Sequence, residues 1–346
     1  MRVKRFFLPI VCLAYLSSLF ANDKNKLTLE DIFDSEKYSE TIVKDIIWNQ
    51  DGSAFTYAKQ YPNHDYEVIE HEVKSGKETL IISSKNLEYD GRKVGVSAYG
   101  RIDNSQLMLV AGRKDKIWRH SWQASHYLYD LKSHKLTPLA NENPRLRNVK
   151  LSPDGMWVGF VRDFNIYICD VINHEEQAVT KNGNGNILNG EFDWVYEEEF
   201  GLADAWSWSP DSKKIAFWQT DQTRVKEFHL LDELPLYNEV FKLKYPKVGE
   251  QNAVVKIGVY DLESGDTKWM DLGAETDIYI PRIFWTTSAK QLAILRLNRL
   301  QNHLKLLLAD AESGNTKTII DEQNDTWIDV RQDVLFLKNY ILKTQK

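Results

Sequence analysis

The fold is decided by Leu151-Ser152-Pro153-Asp154-Gly155, a stretch that recurs as Trp208-Ser209-Pro210-Asp211-Ser212. Each copy precedes a short apolar run, at residues 157–161 and 215–218. Proline favours a turn, aspartate caps the turn through its side chain, and glycine or serine closes it. Each copy is therefore predicted to be a tight turn between an inner and a middle strand. An earlier stretch, Trp48-Asn49-Gln50-Asp51-Gly52, has the same form without the proline.

The spacing of these turns predicts a structural repeat. The two proline-containing copies lie 57 residues apart, and the earlier stretch lies 103 residues before the first of them. This spacing leaves room for a degenerate copy near Asp103-Asn104-Ser105. Turns typical of outer strands occur at Tyr129-Asp130-Leu131-Lys132-Ser133, Tyr260-Asp261-Leu262-Glu263-Ser264-Gly265-Asp266 and Ala309-Asp310-Ala311-Glu312-Ser313-Gly314. A period of about 50 residues with several strands in each unit is typical of β-propeller blades.

We therefore predict an all-β protein that forms an incomplete β-propeller, with about five to six blades of a larger ring. A β-sandwich is the alternative, and it explains the strands but not the recurring Ser-Pro-Asp turn. Two segments break the rhythm of the repeat. Residues 27–46 are expected to form a short helical or irregular lead into the first blade, and residues 223–247 are expected to project from one blade as an excursion.

The amino terminus has the pattern of a secretory signal peptide. Arg2, Lys4 and Arg5 precede an apolar stretch at residues 6–20, and Ala21 stands before a polar start. Cleavage after Ala21 gives two predicted segments, a signal peptide at 1–21 and a propeller domain at 22–346. A membrane anchor is the alternative, but the apolar run is shorter than the roughly 20 residues that a helical span needs. We expect an exported protein, periplasmic or secreted, with no membrane span after cleavage.

Cysteine content and charge exclude several classes of site. Cys12 lies within the signal without the small residue that precedes a lipoprotein cysteine, and the mature chain keeps only Cys169, so no internal disulfide is expected. Loss of the signal removes three positive side chains and changes the formal charge from −6 to −9. An acidic surface disfavours nucleic acid as a partner. The histidines are scattered, and no spacing predicts a metal site or a cofactor.

A second motif, Asp193-Trp194-Val195-Tyr196-Glu197-Glu198-Glu199-Phe200-Gly201, places three adjacent carboxylates beside large aromatic side chains. On a strand, neighbouring side chains point to opposite faces, so adjacent carboxylates could not reach one small target. On a turn or in the first turn of a helix they can converge, and a convergent pair attracts a compact cation such as an ammonium. The motif therefore indicates a site for a free amino terminus. A solvated acidic surface patch is the alternative.

Further motifs accompany the acidic one in a fixed order: Trp118-Arg119-His120-Ser121, Lys244-Tyr245-Pro246-Lys247-Val248-Gly249, Ile280-Pro281-Arg282 and Arg296-Leu297-Asn298-Arg299-Leu300-Gln301-Asn302-His303. Together these motifs resemble the amino-terminal propeller of the dipeptidyl peptidase IV family, which are serine peptidases of the prolyl oligopeptidase clan. The resemblance covers nearly everything after the signal. The Glu199-Phe200-Gly201 ending of the acidic motif is most similar to bacterial members.

The resemblance implies roles for individual residues. Glu198 and Glu199 would hold the amino terminus of the substrate, and Arg119 would contact the carbonyl of the second substrate residue. Glu197 is expected to be structural. The implied activity of the family is the release of dipeptides from peptide amino termini, with proline or alanine favoured at the second position. Expected partners are peptides with a free amino terminus and, in the full-length family, a second copy in a homodimer.

The chemistry of this family resides in a carboxy-terminal α/β-hydrolase domain that carries a Gly-x-Ser-x-Gly nucleophile elbow and a later Asp and His. No Gly-x-Ser-x-Gly occurs in these 346 residues, so we predict no catalytic residue here and expect the chain to be inactive by itself. The interpretation is the substrate-binding propeller of a dipeptidyl peptidase IV-like serine exopeptidase, truncated before its catalytic domain. The alternative is a stand-alone exported propeller that binds peptides or proteins without cleaving them.

Overall fold

The structure is a computed structural model. It describes residues 27–33, 38, 40–49, 51–101, 106–140, 144–330, 334–337 and 340–342. The predicted signal peptide at 1–21 and the degenerate turn at 103–105 lie outside the described residues. A short helix, α1 (Leu29–Phe33), precedes the first strand. Thr28 and Asp31 cap this helix reciprocally, since Asp31 N donates to Thr28 Oγ1 at 3.0 Å and Thr28 N donates to Asp31 Oδ2 at 3.3 Å.

Antiparallel sheets follow one another along the chain as blades. Blade 1 consists of β1 (Ile42–Trp48), β2 (Ala54–Gln60), β3 (Tyr66–Glu72) and β4 (Glu78–Ser83). The link to blade 2 consists of a 3-10 turn (Ser84–Asn86) and a hairpin of β5 (Glu88–Tyr89) and β6 (Arg92–Lys93). The second blade and its insertion consist of β7 (Ala98–Arg101), β8 (Leu107–Ala111), β9 (Asp115–Lys116), β10 (Trp122–Gln123), β11 (His126–Asp130) and β12 (Leu136–Pro138). In its sheet the order is β7, β8, β11, β12, and β9 pairs with β10 alone.

The next blades extend the same plan. Blade 3 consists of β13 (Arg147–Leu151), β14 (Trp157–Arg162), β15 (Asn165–Asp170) and β16 (Glu176–Ala178). Blade 4 with its insertions consists of β17 (Ile187–Asn189), α2 (Trp194–Phe200), β18 (Trp206–Trp208), β19 (Lys214–Asp221), β20 (Glu227–Asp232), β21 (Glu239–Lys244), β22 (Val254–Asp261) and β23 (Thr267–Trp269). Both β17 and β18 pair with β19, so α2 interrupts the inner strand of this blade.

The chain continues with blade 5 and a last hairpin. Blade 5 consists of β24 (Ile278–Trp285), β25 (Gln291–Asn298), β26 (His303–Asp310) and β27 (Thr316–Gln323). The hairpin consists of β28 (Leu335–Leu337) and β29 (Tyr340–Leu342). The described residues thus form five blades and one further strand pair.

The hydrophobic core lies between neighbouring blades. Four buried clusters fill the interfaces of blades 1 and 2, 2 and 3, 3 and 4, and 4 and 5. The period of two along β14 explains how one strand serves two interfaces. Val158 and Phe160 belong to the cluster shared with blade 2, whereas Trp157 and Val161 belong to the cluster shared with blade 4. A sandwich has one core between two sheets, so this series of interfaces confirms the β-propeller prediction.

The Ser-Pro-Asp stretches form the predicted turns between inner and middle strands. Ser152 Oγ donates to Asp154 Oδ1 at 2.6 Å and accepts from Trp157 N at 3.0 Å. Ser209 and Asp211 repeat this arrangement, with their side chains also 2.6 Å apart. Both serines are completely buried, so each hydroxyl satisfies a turn that water does not reach.

Other turns agree with the sequence analysis or extend it. In blade 1, Asn49 replaces the serine, and its Oδ1 accepts from Ala54 N at 3.1 Å. The outer turns at Asp130, Asp261 and Asp310 each form as predicted, with one aspartate oxygen accepting from two backbone N–H groups. Blade 5 has a turn that was not predicted from the sequence, in which Thr286 Oγ1 accepts from Ser288 N at 3.1 Å. That turn contains neither proline nor aspartate.

The two segments that break the rhythm have different outcomes. The expected lead at residues 27–46 is wrong in its last part, because β1 already begins at Ile42 and pairs with β2. A bulge between Lys44 and Ile47, with Asp45 at a φ of 55°, disrupts the alternation by which a strand is recognised in sequence. The expected excursion at 223–247 is confirmed as the exposed hairpin of β20 and β21.

The connections of the blades divide between two faces. Because consecutive strands run antiparallel, the first-to-second and third-to-fourth connections lie at one face, which carries the Ser-Pro-Asp turns and is called the tight-turn face. The second-to-third connections lie at the opposite face, where blade 2 carries the β9–β10 hairpin and blade 4 carries the β20–β21 hairpin. Strand β17 pairs with the carboxyl end of β19, which lies at this second face, and α2 follows β17 in the chain. The insertions therefore gather on one face of the propeller.

Candidate functional site

The helix α2 carries the acidic motif, and its ends are set by its own sequence. Asp193 is the N-cap, and its side chain accepts from Tyr196 N at 3.1 Å. Gly201 ends the helix in the left-handed region at a φ of 64°, and its N–H donates to Tyr196 O. The motif therefore forms one short helical segment in which Glu197, Glu198 and Glu199 occupy neighbouring positions.

One side of α2 is fixed in the interface of blades 4 and 5. Tyr196 and Phe200, one turn apart, both pack against Tyr279, with ring centroids 6.3 Å and 5.1 Å away. The hydroxyl of Tyr196 accepts from Ile280 N at 2.9 Å. Arg282 donates to Phe200 O at 3.0 Å and so satisfies a carbonyl at the end of the helix. These contacts fix the position of the helix, and with it the position of the side that faces away from the interface of blades 4 and 5.

The three glutamates have three different surroundings. Glu197 is 1% exposed, and its Oε1 accepts from His120 N and Ser121 N, each at 2.7 Å. The side chain of Glu198 is 18% exposed and forms an ion pair with Arg119. Glu199 is exposed to solvent. Adjacent positions on a helix point about 100° apart, which explains why one triplet contains both a buried and a solvated carboxylate.

Arg119 lies at the end of the β9–β10 hairpin of blade 2. The turn of this hairpin is closed by Ile117 N, which donates to Ser121 O at 2.9 Å, and by Trp118 N, which donates to Ser121 Oγ at 3.3 Å. The side chain of Arg119 is 69% exposed, and its Nε lies 2.9 Å from Glu198 Oε2. The structure therefore places an arginine from blade 2 against a carboxylate from blade 4.

Burial shifts the ionisation of groups that support the site. Burial raises the pKa of Asp193 to about 6, although the N–H of Tyr196 opposes the shift. Burial also raises the pKa of Tyr279, and the nearby charge of Glu199 contributes to the same direction. The pKa of Arg282 is lowered by burial. The raised pKa of Tyr279 means that its side chain stays a neutral phenol.

An aromatic cluster borders the site where the excursion begins and ends. The rings of Trp194 and Tyr245 lie 4.5 Å apart, and Phe228 packs on Tyr245 at 5.6 Å. Lys247 Nζ lies 5.1 Å above the ring of Phe228. Because Trp194 and Glu198 are four positions apart on α2, this cluster lies on the same side of the helix as the ion pair. The excursion is thus anchored on the helix that carries the glutamates.

The structure brings together two of the three predicted site residues. Arg119 and Glu198 are in direct contact, and Glu199 stands on the same helical turn with its carboxylate in solvent. The supporting roles of Tyr279 and Arg282 were not predicted, although the Ile280-Pro281-Arg282 motif marked the right segment. In the described part of the chain, no three metal-ligating side chains cluster. Likewise, none of the helices that the structure describes has the length and apolar character needed to cross a bilayer.

Comparison with known proteins identifies a family. Residues 103–345 match the sequence model of a family described as the dipeptidyl peptidase IV (DPP IV) N-terminal region. A protein of Pyrenophora teres f. teres described as probable dipeptidyl-aminopeptidase B is 28% identical over 352 residues, which covers 93% of this chain and 39% of the relative. A protein of Chaetomium globosum with the same description is 32% identical over 287 residues, covering 74% of this chain and 31% of the relative.

A solved structure agrees with these sequence matches. The crystal structure of Porphyromonas gingivalis dipeptidyl peptidase 4 is similar to this chain with a TM-score of 0.79 and 33% sequence identity. The similarity covers 88% of this chain and 43% of the solved one. The chain therefore spans less than half the length of the relatives that it matches.

Proposed function

The chain belongs to the dipeptidyl peptidase IV family, and on that premise we propose that it is the substrate-binding propeller of a serine exopeptidase that releases amino-terminal dipeptides. The observation that carries the proposal is the contact of Arg119 with Glu198, beside Glu199. We call these three side chains the amino-terminus clamp. The proposal includes a preference for proline or alanine at the second substrate position, which the family resemblance supports.

The chemistry of the amino-terminus clamp suits a peptide amino terminus. Two unit charges 4 Å apart attract by about 4 kcal/mol at an effective dielectric constant of about 20, so an ammonium between two carboxylates is held strongly. Arg119 uses Nε in its contact with Glu198, and the terminal nitrogens of a guanidinium carry four more N–H donors for a peptide carbonyl. A blocked amino terminus has no charge, so it forms no ion pair with either carboxylate, and Glu198 keeps only Arg119 as its partner.

Binding tests the proposal without requiring turnover. Calorimetry of the purified chain with a Gly-Pro-Gly-Gly amide is expected to show binding, and the amino-acetylated peptide is expected to bind at least about tenfold more weakly. Glu198→Gln and Glu199→Gln should each reduce the preference for the free amino terminus. Glu263→Gln is the matched control, since Glu263 is an exposed glutamate on the opposite, tight-turn face. Equal affinity for the two peptides would overturn the proposal.

We further propose that the protein is exported. The proposal rests on the charged, apolar and small residues of positions 1–21 described above. Expression of the full chain in a bacterium with a periplasm should yield a product that begins at Asn22, as amino-terminal sequencing of the periplasmic fraction would show. Recovery of the unprocessed chain from the cytoplasm alone would contradict export.

A further inference from the structure

Glu197 is the most deeply buried acidic residue of the acidic motif, more so even than the cap residue Asp193. It is 1% exposed, and one oxygen accepts from two consecutive backbone N–H groups at 2.7 Å each. A carboxylate removed from water is costly unless hydrogen bonds to its charged form compensate for the loss. The two short hydrogen bonds supply that compensation. Glu197 thus accepts hydrogen bonds from the protein itself, and its buried side chain is not exposed to a ligand.

The two donors of these hydrogen bonds belong to a different blade. His120 and Ser121 directly follow Arg119 in the hairpin of blade 2. Glu197 lies in the insertion of blade 4, 77 residues after His120 and 76 residues after Ser121. The contact therefore joins two insertions of non-neighbouring blades, with blade 3 between them. It also fixes the backbone immediately after Arg119 relative to the helical turn that carries the other two glutamates.

Each partner of this contact has its own separate supports. The helix α2 is held by its cap at Asp193, by the hydroxyl of Tyr196 and by Arg282. The hairpin turn is closed by hydrogen bonds between its own residues. Loss of the Glu197 carboxylate would therefore leave both partners folded but no longer joined at this point.

We propose that Glu197 is a positioning residue that holds the Arg119 hairpin against the helix, so that the amino-terminus clamp forms as one unit. The proposal rests on the proposed function, because its effect is measured on the ligand of that site. Glu197 itself does not contact the ligand. The triplet thus divides between one carboxylate that fixes the geometry and two that meet the amino terminus.

Two substitutions test the positioning role by calorimetry with the free Gly-Pro-Gly-Gly amide. Glu197→Ala removes both acceptor contacts and is expected to weaken binding about tenfold or more. Glu197→Gln keeps an oxygen at the position of Oε1 and is expected to stay within about threefold of the wild type. An alanine variant that binds as tightly as the wild type overturns the proposal.

A third variant separates positioning from general damage. In an Arg119→Ala background there is no guanidinium left to position, so adding Glu197→Ala should change the affinity by less than about twofold. An equal loss of affinity in both backgrounds would show that Glu197 only maintains the fold, and would overturn the proposal. If the wild type binds free and acetylated peptides equally, the proposed function fails irrespective of these variants.

A ligand-free measurement covers the case in which the alanine variant does not fold. Hydrogen exchange at the amides of His120 and Ser121 should be slow in the wild type, because both donate to a buried acceptor. Glu197→Gln keeps an acceptor, but its neutral oxygen accepts more weakly than a carboxylate, so this variant is expected to speed exchange at these two amides modestly and to leave the amides of the blade strands unaffected. Fast exchange at both amides in the wild type would show that the contact of Glu197 with the hairpin does not exist in solution, and would overturn the proposal.

Discussion

Blades 3 and 4 share one strand plan and differ in what their connections carry. Both contain a buried Ser-Pro-Asp turn of the same geometry at one face. At the other face, the second and third strands of blade 3 are joined by only Asp163 and Phe164, both at positive φ. The corresponding connection of blade 4 contains the hairpin of β20 and β21, and the inner strand of blade 4 also contains α2. The repeated plan thus builds the ring, while the departures from it build the candidate site.

The two blades are joined by polar contacts as well as by their apolar interface. Arg147 from blade 3 lies 2.7 Å from Glu191, which precedes α2 in blade 4. At the face of tight turns, Asp154 N donates to Ser212 Oγ at 3.0 Å, so one turn hydrogen-bonds to the next. The first of these contacts involves the inserted segment of blade 4, and the second joins the turns that both blades share.

The largest effect is expected where a buried charge of one blade loses its partner in the other. The side chains of Arg147 and Glu191 are 16% and 4% exposed, and burial raises the pKa of Glu191 while Arg147 opposes this shift. Arg147→Met should lower the free energy of unfolding by about 3 to 5 kcal/mol at pH 8. This loss of stability should be smaller at pH 5. Without Arg147, the buried carboxyl of Glu191 has a raised pKa and becomes protonated there, so no unpaired charge is buried. Urea unfolding at both pH values measures this difference.

The double variant Arg147→Met/Glu191→Gln is the control for that measurement. It removes both charges, so most of the lost stability should return at pH 8. A cost of Arg147→Met below about 1 kcal/mol at pH 8 would show that the ion pair does not couple the two blades.

A smaller effect is expected from Asp193, the cap of the inserted helix. Its folded pKa of about 6 lies above the value of 3.8 for an unperturbed aspartate, so between these values the native state binds more protons than the unfolded state. Its contribution to stability is therefore present at low pH and is lost as pH rises from about 4 to about 6. Asp193→Asn keeps an oxygen acceptor but cannot ionise. Relative to the wild type, this variant should gain about 2 to 3 kcal/mol between pH 4 and pH 7.

The stability difference between the wild type and Asp193→Asn removes the effect of His126, whose pH dependence has the opposite sign. Burial lowers the pKa of His126 to about 4, so its contribution is present at neutral pH and is lost as pH falls from about 6.5 to about 4. His126 is present in both proteins and cancels in the comparison. A stability difference that stays constant from pH 4 to pH 7 would contradict the prediction for Asp193.

The smallest effects are expected in the turns that the two blades share. Ser152→Ala and Ser209→Ala each remove a buried hydroxyl that donates to an aspartate and accepts from the backbone. Each substitution should cost about 1 to 2 kcal/mol in thermal or urea unfolding, and the two costs should agree within about 0.5 kcal/mol. Neither should change peptide affinity more than about twofold. A clear difference between the two costs would show that the matching turns are not equivalent.

The features that could be predicted from the sequence are those that depend on contacts between residues close together in the chain. The hydrogen bonds of Ser152 span at most five residues, so a short stretch contains everything needed to recognise its turn. The blade 5 turn at Thr286 was missed because it achieves a similar closure without the proline and aspartate that carry the signal. Arg119 and Glu198 were predicted through motifs and do meet, but the partners of Glu197 were not predicted. Those partners depend on how two distant blades pack, which no periodicity in the sequence encodes.

The long reach of the Glu197 contact has a consequence for the order of folding. Turns such as that of Ser152 close over a few residues and can form early, whereas the His120 contact closes a loop of 77 residues. That closure requires blades 2, 3 and 4 to be folded and docked on one another. The proposed affinity for a free amino terminus should therefore develop after the strands do during refolding, so ligand binding would report that blades 2, 3 and 4 have assembled.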